Sequence, residues 1–157
     1  MKIGIFVHSQ SGNTAKLGLA MTHVLREKGH DVSVELLRPV NKVRARMRSV
    51  TFRNLPDVNE YDAVLVGGPI LAFGASPVIV SFLKQLATLK GKKVLCFTTS
   101  GFPTFFSGAK RCIAKVNDLF GELEATPLPG VPLFWGIYCS KKKIDATVAY
   151  ICSLIGA

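Results

Sequence analysis

Lys2-Ile3-Gly4-Ile5-Phe6-Val7-His8-Ser9-Gln10-Ser11-Gly12-Asn13-Thr14 is the stretch whose reading decides the fold. Ile3 to Val7 is a short apolar run of the kind that forms a buried strand, and from Asn13 onward Leu17, Met21, Val24 and Leu25 recur at helical spacing. Residues 9–14 that join them carry only hydroxyls, amides and one glycine. A helix N-terminus presents backbone N–H groups without partners and the positive end of a dipole, so such a loop can hold a dianionic phosphate without a lysine. Ser9, Ser11 and Thr14 supply hydroxyls, and Gly12 permits close approach. The loop lacks both the G-x-x-x-x-G-K-[ST] of a nucleoside-triphosphate site and the G-x-G-x-x-G of a dinucleotide site. The same residues also suit a plain turn followed by a helix cap.

Outward from this unit, strands and helices alternate to the end of the chain, the pattern of βαβ units and a parallel sheet. Residues 63–67 and 94–98 are near-continuous apolar runs, expected of central strands covered on both faces. In residues 31–37, Val32, Val34 and Leu36 alternate with Ser33 and Glu35, which suits a strand near an edge. Residues 123–138 contain Pro127, Pro129, Gly130 and Pro132, so the fifth strand is expected as two short pieces around a Pro129-Gly130 turn. Helices are expected over residues 13–28, 77–89, 107–121 and 142–155, with Gly29 stopping the first. In the last, Ile144, Val148, Ile151 and Ile155 form one core-facing stripe. Residues 38–59 show no periodicity and suit either a short helix or a long basic loop.

With 157 residues, 48% of them hydrophobic and 19% charged, the chain is expected to be one globular α/β domain. It has no apolar run near the ~20 residues of a membrane span. One lysine and a short apolar run do not make a signal peptide, so a cytoplasmic location is expected. Cys96, Cys112, Cys139 and Cys152 form no C-x-x-C pair and read as small buried hydrophobes, with no metal site expected. His23 and His30 fall on a helix and its exit, where exposure is expected. His8 reads as a satisfied neighbour of the sheet edge. The net charge is +10 and unevenly spread. Arg38, Lys42, Arg44, Arg46, Arg48 and Arg53 occur without an intervening acid, and Lys141-Lys142-Lys143 precede the last helix. Such clusters attract anions: an acidic protein, a head group, a nucleotide 2′-phosphate or simply solvent counterions. With neither a recognition helix nor an aromatic-interleaved basic strand, nucleic acid is not expected as a partner.

In an open parallel sheet, ligands bind at the carboxyl ends of the strands where the strand order reverses. Three loops leave such ends here. The first comprises Ser9, Gln10, Ser11, Gly12, Asn13 and Thr14; the second carries Pro69, Ile70, Leu71, Ala72, Phe73 and Gly74; the third carries Thr99, Ser100, Gly101 and Phe102. One is built for an anion, and two offer apolar and aromatic groups with glycines that let a flat ring approach.

The chain resembles the flavodoxin family nearly end to end. Ser9-Gln10-Ser11-Gly12-Asn13-Thr14 matches the family's [ST]-x-[ST]-G-x-T phosphate loop residue by residue. Tyr61-Asp62-Ala63-Val64-Leu65-Val66-Gly67-Gly68-Pro69 matches its third strand and the start of its flavin loop, and Leu89-Lys90-Gly91-Lys92-Lys93-Val94 matches the approach to its fourth strand. The resemblance implies an α/β, three-layer, doubly wound sandwich with a five-stranded parallel sheet of order 2-1-3-4-5. It also implies FMN bound non-covalently, with its phosphate at the first loop and its ring between the other two, at the sixteen positions just named.

The departures are chemical. Where many flavodoxins stack tryptophan and tyrosine on the flavin, this chain offers Leu71, Phe73 and Phe102, with Phe105 and Phe106 further on. No Asp or Glu occurs between Asp62 and Asp118, although classical flavodoxins are strongly acidic. One negative charge ~10 Å from a reduced flavin opposes its anionic form by ~0.4 kcal/mol even in a water-like dielectric. The expected reduction potential is therefore less negative than in an acidic flavodoxin. The expected function is electron transfer to a redox partner protein, acidic in character, with no catalytic side chain. Two alternatives stand beside it: a small NAD(P)H-dependent FMN or quinone reductase, with a nicotinamide cofactor's phosphates on the basic segment from Arg38 to Arg53, and a cofactor-free binding module using its basic face. Oligomeric state is open.

Overall fold

In a computed structural model that describes residues 1–103, 106–136 and 139–156, the described residues fold as five strands and four helices that alternate as expected except between the second and third strands, which a long loop joins without a helix. β1 (Lys2–Val7), α1 (Asn13–Glu27) and β2 (Asp31–Leu36) are followed by β3 (Ala63–Pro69), α2 (Pro77–Lys84) and β4 (Lys93–Ser100), then α3 (Ala109–Glu122), β5 (Val131–Phe134) and α4 (Lys141–Gly156). The strands form one parallel sheet of order β2-β1-β3-β4-β5. The order reverses between β1 and β3, which puts the crevice of the doubly wound sheet there.

The two-residue period of the strands sorts side chains into two cores. Ile3, Ile5 and Val7 of β1, with Leu65, Leu95 and Phe97, pack against Leu17, Met21 and Leu25 of α1 and Val148, Ile151, Cys152 and Ile155 of α4. Phe6, Val64, Val66 and Cys96 point the other way, onto Val78, Phe82 and Leu83 of α2 and Val116 and Phe120 of α3. Each such fully buried aliphatic or aromatic side chain contributes roughly 1.5–3 kcal/mol. Gly67 serves the first core directly: a Cβ there would lie 2.1 Å from the Phe97 ring, so the ring occupies the space that a side chain would need. Val24 and Ile144, read as core from their spacing, are only half-buried at the margin of that core.

Local sequence explains most boundaries. At the end of α1, His30 N–H donates to Leu25 O and Gly29 N–H to Arg26 O, with Gly29 at φ +83°, a Schellman stop. α2 begins with Ser76, whose hydroxyl accepts from Val78 N–H, and with Pro77 in its first turn. It stops at Lys84, five residues short of the expected end. Leu89 N–H donates to Leu123 O, and the Thr88 hydroxyl donates to Leu123 O and Glu124, so tertiary bonds replace the last helical turn. β2 is an edge strand, as its alternation implies. The fifth strand comes in two pieces, a bridge from Pro127 to Val94 and then β5, separated by Pro129-Gly130. Pro132 is tolerated because β5 pairs only with β4. Tyr138, at the end of the expected strand region, lies outside the described residues.

Residues 38–59 form a long loop with no helix, held by a Pro39–Phe52 bridge and by Val50 N–H donating to the Ser81 hydroxyl. The four cysteines are free; Cys96, Cys112 and Cys152 are buried, whereas Cys139 is only half-buried. A hydrogen bond to Cys112, together with burial, holds the Cys96 thiol well above the ordinary thiol range, an inert state. His23 is exposed and pairs with Glu27, while His30 is half-buried beside the N-terminal amine. No helix among the described residues is long and apolar enough to cross a membrane.

Candidate functional site

The carboxyl ends of β1, β3 and β4 bring the three loops to one end of the sheet. In the first, Gly12 adopts φ +88° and sits immediately before α1, with Lys16 N–H donating to its carbonyl. The Ser9 hydroxyl turns inward and accepts from Gly12 N–H at 3.1 Å and Ala15 N–H at 3.3 Å. No hydrogen bond among the described residues uses the amides of Gln10, Ser11, Asn13 or Thr14. Gln10 and Ser11 are exposed, Asn13 is half-buried and Thr14 is buried, so these N–H groups form a donor array without protein partners at a helix N-terminus, open at Gln10 and Ser11. Thr14 is buried and its hydroxyl lies 2.7 Å from that of Thr99, which ties this loop to the end of β4. Of the three hydroxyls expected to face an anion, Ser9 and Thr14 are thus already engaged within the protein.

Three residues read as loop are strand. β3 runs on to Pro69 and β4 to Ser100, because the ladder continues through the Pro69–Thr99 pair and Ile70 N–H donates to Thr99 O at 2.9 Å. Thr99 and Ser100 are consequently buried, with Ser100 donating its hydroxyl proton to Phe102 O at 2.7 Å. Beyond them, Leu71 and Gly74 exchange both backbone hydrogen bonds at 3.0 Å around Ala72 (φ 46°) and Phe73 (φ 61°). This is the two-residue turn that normally takes Asn-Gly. Left-handed backbone at an alanine and a phenylalanine costs roughly 1–2 kcal/mol each. The turn projects an exposed Phe73 ring beside the exposed Phe102 ring, with centroids 6.4 Å apart and planes 26° apart. Phe106 follows, 6.1 Å from Phe102. Phe105 lies outside the described residues.

Ile70, Ala72, Phe73, Ser100, Gly101 and Phe102 line a slot of about 150 Å³. A flat ring between two others needs them about 7 Å apart. The 6.4 Å centroid distance of Phe73 and Phe102 is that of an offset pair in contact, so the two rings would have to part to admit a planar heterocycle. Gly108, at φ +85° before α3, packs directly under the turn: a Cβ there would lie 2.1 Å from Phe73 O. Nothing in the order of residues announces that contact.

Two clefts flank the slot and the donor array. Arg46, Phe73, Phe106, Lys110 and Arg111 border one of about 600 Å³, contiguous with the slot through Phe73. The other, about 750 Å³, opens between the first loop, the end of β2 and the basic loop. His8 borders it. Its Nδ1 lies 2.6 Å from the Ser76 hydroxyl, which also accepts from Val78 N–H. Burial lowers the His8 pKa to about 4, and the positive end of α2 opposes the imidazolium further. Among the described residues, no three His, Cys, Asp or Glu side chains gather into a metal site.

The chain matches the family model described as flavodoxin over residues 26–127. It is similar in structure to a flavodoxin from the domain Archaea, with a TM-score of 0.75 and 16% identity over 99% of this chain and 97% of that one. A Streptococcus pneumoniae flavodoxin gives 0.72 and 19% over 99% and 98%. Rubredoxin oxygen:oxidoreductase from Desulfovibrio gigas gives 0.71 and 14% over 98% of this chain but 35% of that longer one. No curated protein sequence matches it. At these identities the structural likenesses show the fold. The family-model match begins after residues 9–14, so the reading of that loop stands on its own geometry.

Proposed function

We propose, since the chain belongs to the flavodoxin family, that it holds FMN non-covalently and passes electrons to and from a redox partner protein in the cytosol. The observation that carries this reading is the donor array of the first loop, at the same sheet end as the near-parallel Phe73 and Phe102 rings. The amides of Gln10, Ser11, Asn13 and Thr14 would receive the phosphate, and the second and third loops would flank the ring. Bound there, FMN supplies the electron chemistry.

The protein's own contribution is placement, exposure and charge. Phe73, Phe102 and Phe106 are each about half exposed, so a partner can approach the ring edge closely. Arg46, Lys110 and Arg111 border that rim, which favours an acidic partner and a less negative reduction potential.

The cleft they form also keeps the reductase reading in play, because cations beside the ring could hold a nicotinamide cofactor's phosphates. Anaerobic mixing separates the two. The FMN-loaded chain is expected to keep its flavin absorbance with NADPH alone and to bleach when a flavin-dependent reductase is added, at a rate that falls with salt. Rapid bleaching by NADPH alone would make it an oxidoreductase acting on nicotinamide directly. A redox titration giving a potential as low as an acidic flavodoxin's would contradict the charge argument.

A further inference from the structure

The fold sorts charge along the strand axis. Each helix follows a strand of the parallel sheet and runs back beside it, so α1, α2, α3 and α4 all start at the pole where the three loops lie, and their dipoles make that pole more positive. Glu27 and Glu122 close α1 and α3, Asp31 opens β2, and Glu60 and Asp62 bond to Lys2 at the start of β1, which puts these acids at the opposite pole. The acids nearest the loop pole are Asp145, paired with Lys141 at 2.9 Å, and Glu35, half-buried and 3.5 Å from the Tyr61 hydroxyl.

At that pole, cations stand on both faces of the sheet around the third loop. Arg46, Lys110 and Arg111 border the cleft of about 600 Å³ on the face that carries α3, and Lys142 and Lys143 open α4 on the other face. All are exposed, and none is in an ion pair among the described residues. The third loop leaves β4 between these two helix starts and carries the exposed Phe102, with the exposed Phe106 beside it. Arg38, Lys42 and Arg53, on the β2 side, have no such ring: among the described residues, no Phe, Tyr or Trp lines the cleft they border. Exposed aromatic rings anchor a protein interface, arginine beside them strengthens it, and complementary charge orients the approach.

We propose that an acidic protein docks over the third loop, with carboxylates on Arg46, Lys110 and Arg111 at one flank and on Lys142 and Lys143 at the other, and with Phe102 and Phe106 at the centre. The inference rests on the proposed flavin site and deepens it by assigning the redox partner one side of the ring, the side of β4 and β5 rather than that of β2. An anionic bilayer carries the same charge, but a flat surface meets the protruding rings first and leaves the cations that line a cleft behind.

Stopped-flow mixing of the FMN-loaded full chain with an excess of a reduced plant-type ferredoxin of strongly negative net charge tests it, with flavin bleaching as the readout, at about 50 mM salt, where surface charges are weakly screened. Arg46→Glu/Lys110→Glu/Arg111→Glu is expected to slow bimolecular reduction at least about tenfold and Lys142→Glu/Lys143→Glu about fivefold, whereas Arg38→Glu/Lys42→Glu/Arg53→Glu, with the same change in net charge as the first, should slow it less than about threefold. Phe106→Ala should slow it about fivefold without any change in charge. Equal slowing by the two triple variants, or no slowing by Lys142→Glu/Lys143→Glu or by Phe106→Ala, overturns the docking face while leaving FMN binding intact. The lysine pair lies away from the ring slot, so it carries the test even if the first triple variant loses FMN. Sedimentation of the chain with vesicles of equal phosphatidylcholine and phosphatidylglycerol, abolished in the first triple variant while its reduction by ferredoxin is unchanged, would assign the face to a bilayer and overturn the proposal. An unsubstituted chain that binds no FMN removes the flavin reading itself, and this inference with it.

Discussion

Gly108→Ala is expected to weaken flavin binding at least about tenfold and to lower stability by about 2–3 kcal/mol, although residue 108 is not among the positions that a flavin would touch. Two costs combine. The residue sits at φ +85°, where a Cβ is disfavoured by roughly 1–2 kcal/mol. The added carbon would also lie 2.1 Å from Phe73 O and 2.5 Å from Phe73 C, which are backbone atoms that cannot rotate away. Restoring an ordinary contact near 3.3 Å moves the Leu71–Gly74 turn by about 1 Å, and with it the ring that forms one wall of the slot. Gly91→Ala is the control: φ is +77° there, but nothing lies within 4 Å of the added Cβ. Chemical denaturation should show Gly91→Ala losing only the backbone part, with flavin affinity unchanged. Equal losses of stability in the two variants, or an unaltered flavin affinity in Gly108→Ala, would contradict the proposed support of Phe73.

His8 should make the protein acid-sensitive in a defined window. The folded-state pKa is lowered to about 4 by burial, whereas an unfolded histidine titrates near 6.5. Between those values the unfolded chain takes up a proton that the folded chain refuses. Stability is therefore complete above about pH 6.5 and is lost as the pH falls toward 4. The side chain is only 5% exposed, yet it borders an open cleft, and allowing for that solvent access leaves a loss on the order of 2 kcal/mol. His8→Gln keeps a polar group facing Ser76 and removes the titration, so its stability should fall less steeply from pH 7 to 4. Parallel pH profiles for the two proteins would show that His8 is not held neutral.

What the sequence made legible follows from how local each signal is. The central strands and the edge position of β2 are written in apolar runs and in the alternation of residues 32–36, because burial on one or two faces acts residue by residue, whereas the strand order comes only with the resemblance to a known family. The stop at Gly29 is equally local. The end of α2 is not: the apolar pattern through Leu86 and Leu89 runs on as if helical, while bonds from Leu89 and Thr88 to Leu123, thirty-odd residues away, end the helix early. The site divides the same way. Gly12 and the composition of residues 9–14 are visible in the sequence, but the engagement of Ser9 with Ala15 and of Thr14 with Thr99 is tertiary. The left-handed pair Ala72-Phe73 carries no Asn-Gly signature, and Gly108 gains its meaning only from the backbone lying on it. The 750 Å³ cleft likewise depends on how a loop without periodicity folds back beside β2.

The central claim is that the amides of the first loop hold the phosphate of a flavin. Amide resonances of the ¹⁵N-labelled full chain, followed on adding FMN and separately riboflavin, test it directly, since riboflavin has the same ring and lacks the phosphate. FMN is expected to shift Gln10, Ser11, Asn13 and Thr14 together with the residues of the second and third loops, and riboflavin to shift only those two loops. First-loop amides that FMN leaves unmoved, or that riboflavin moves equally, would contradict the account.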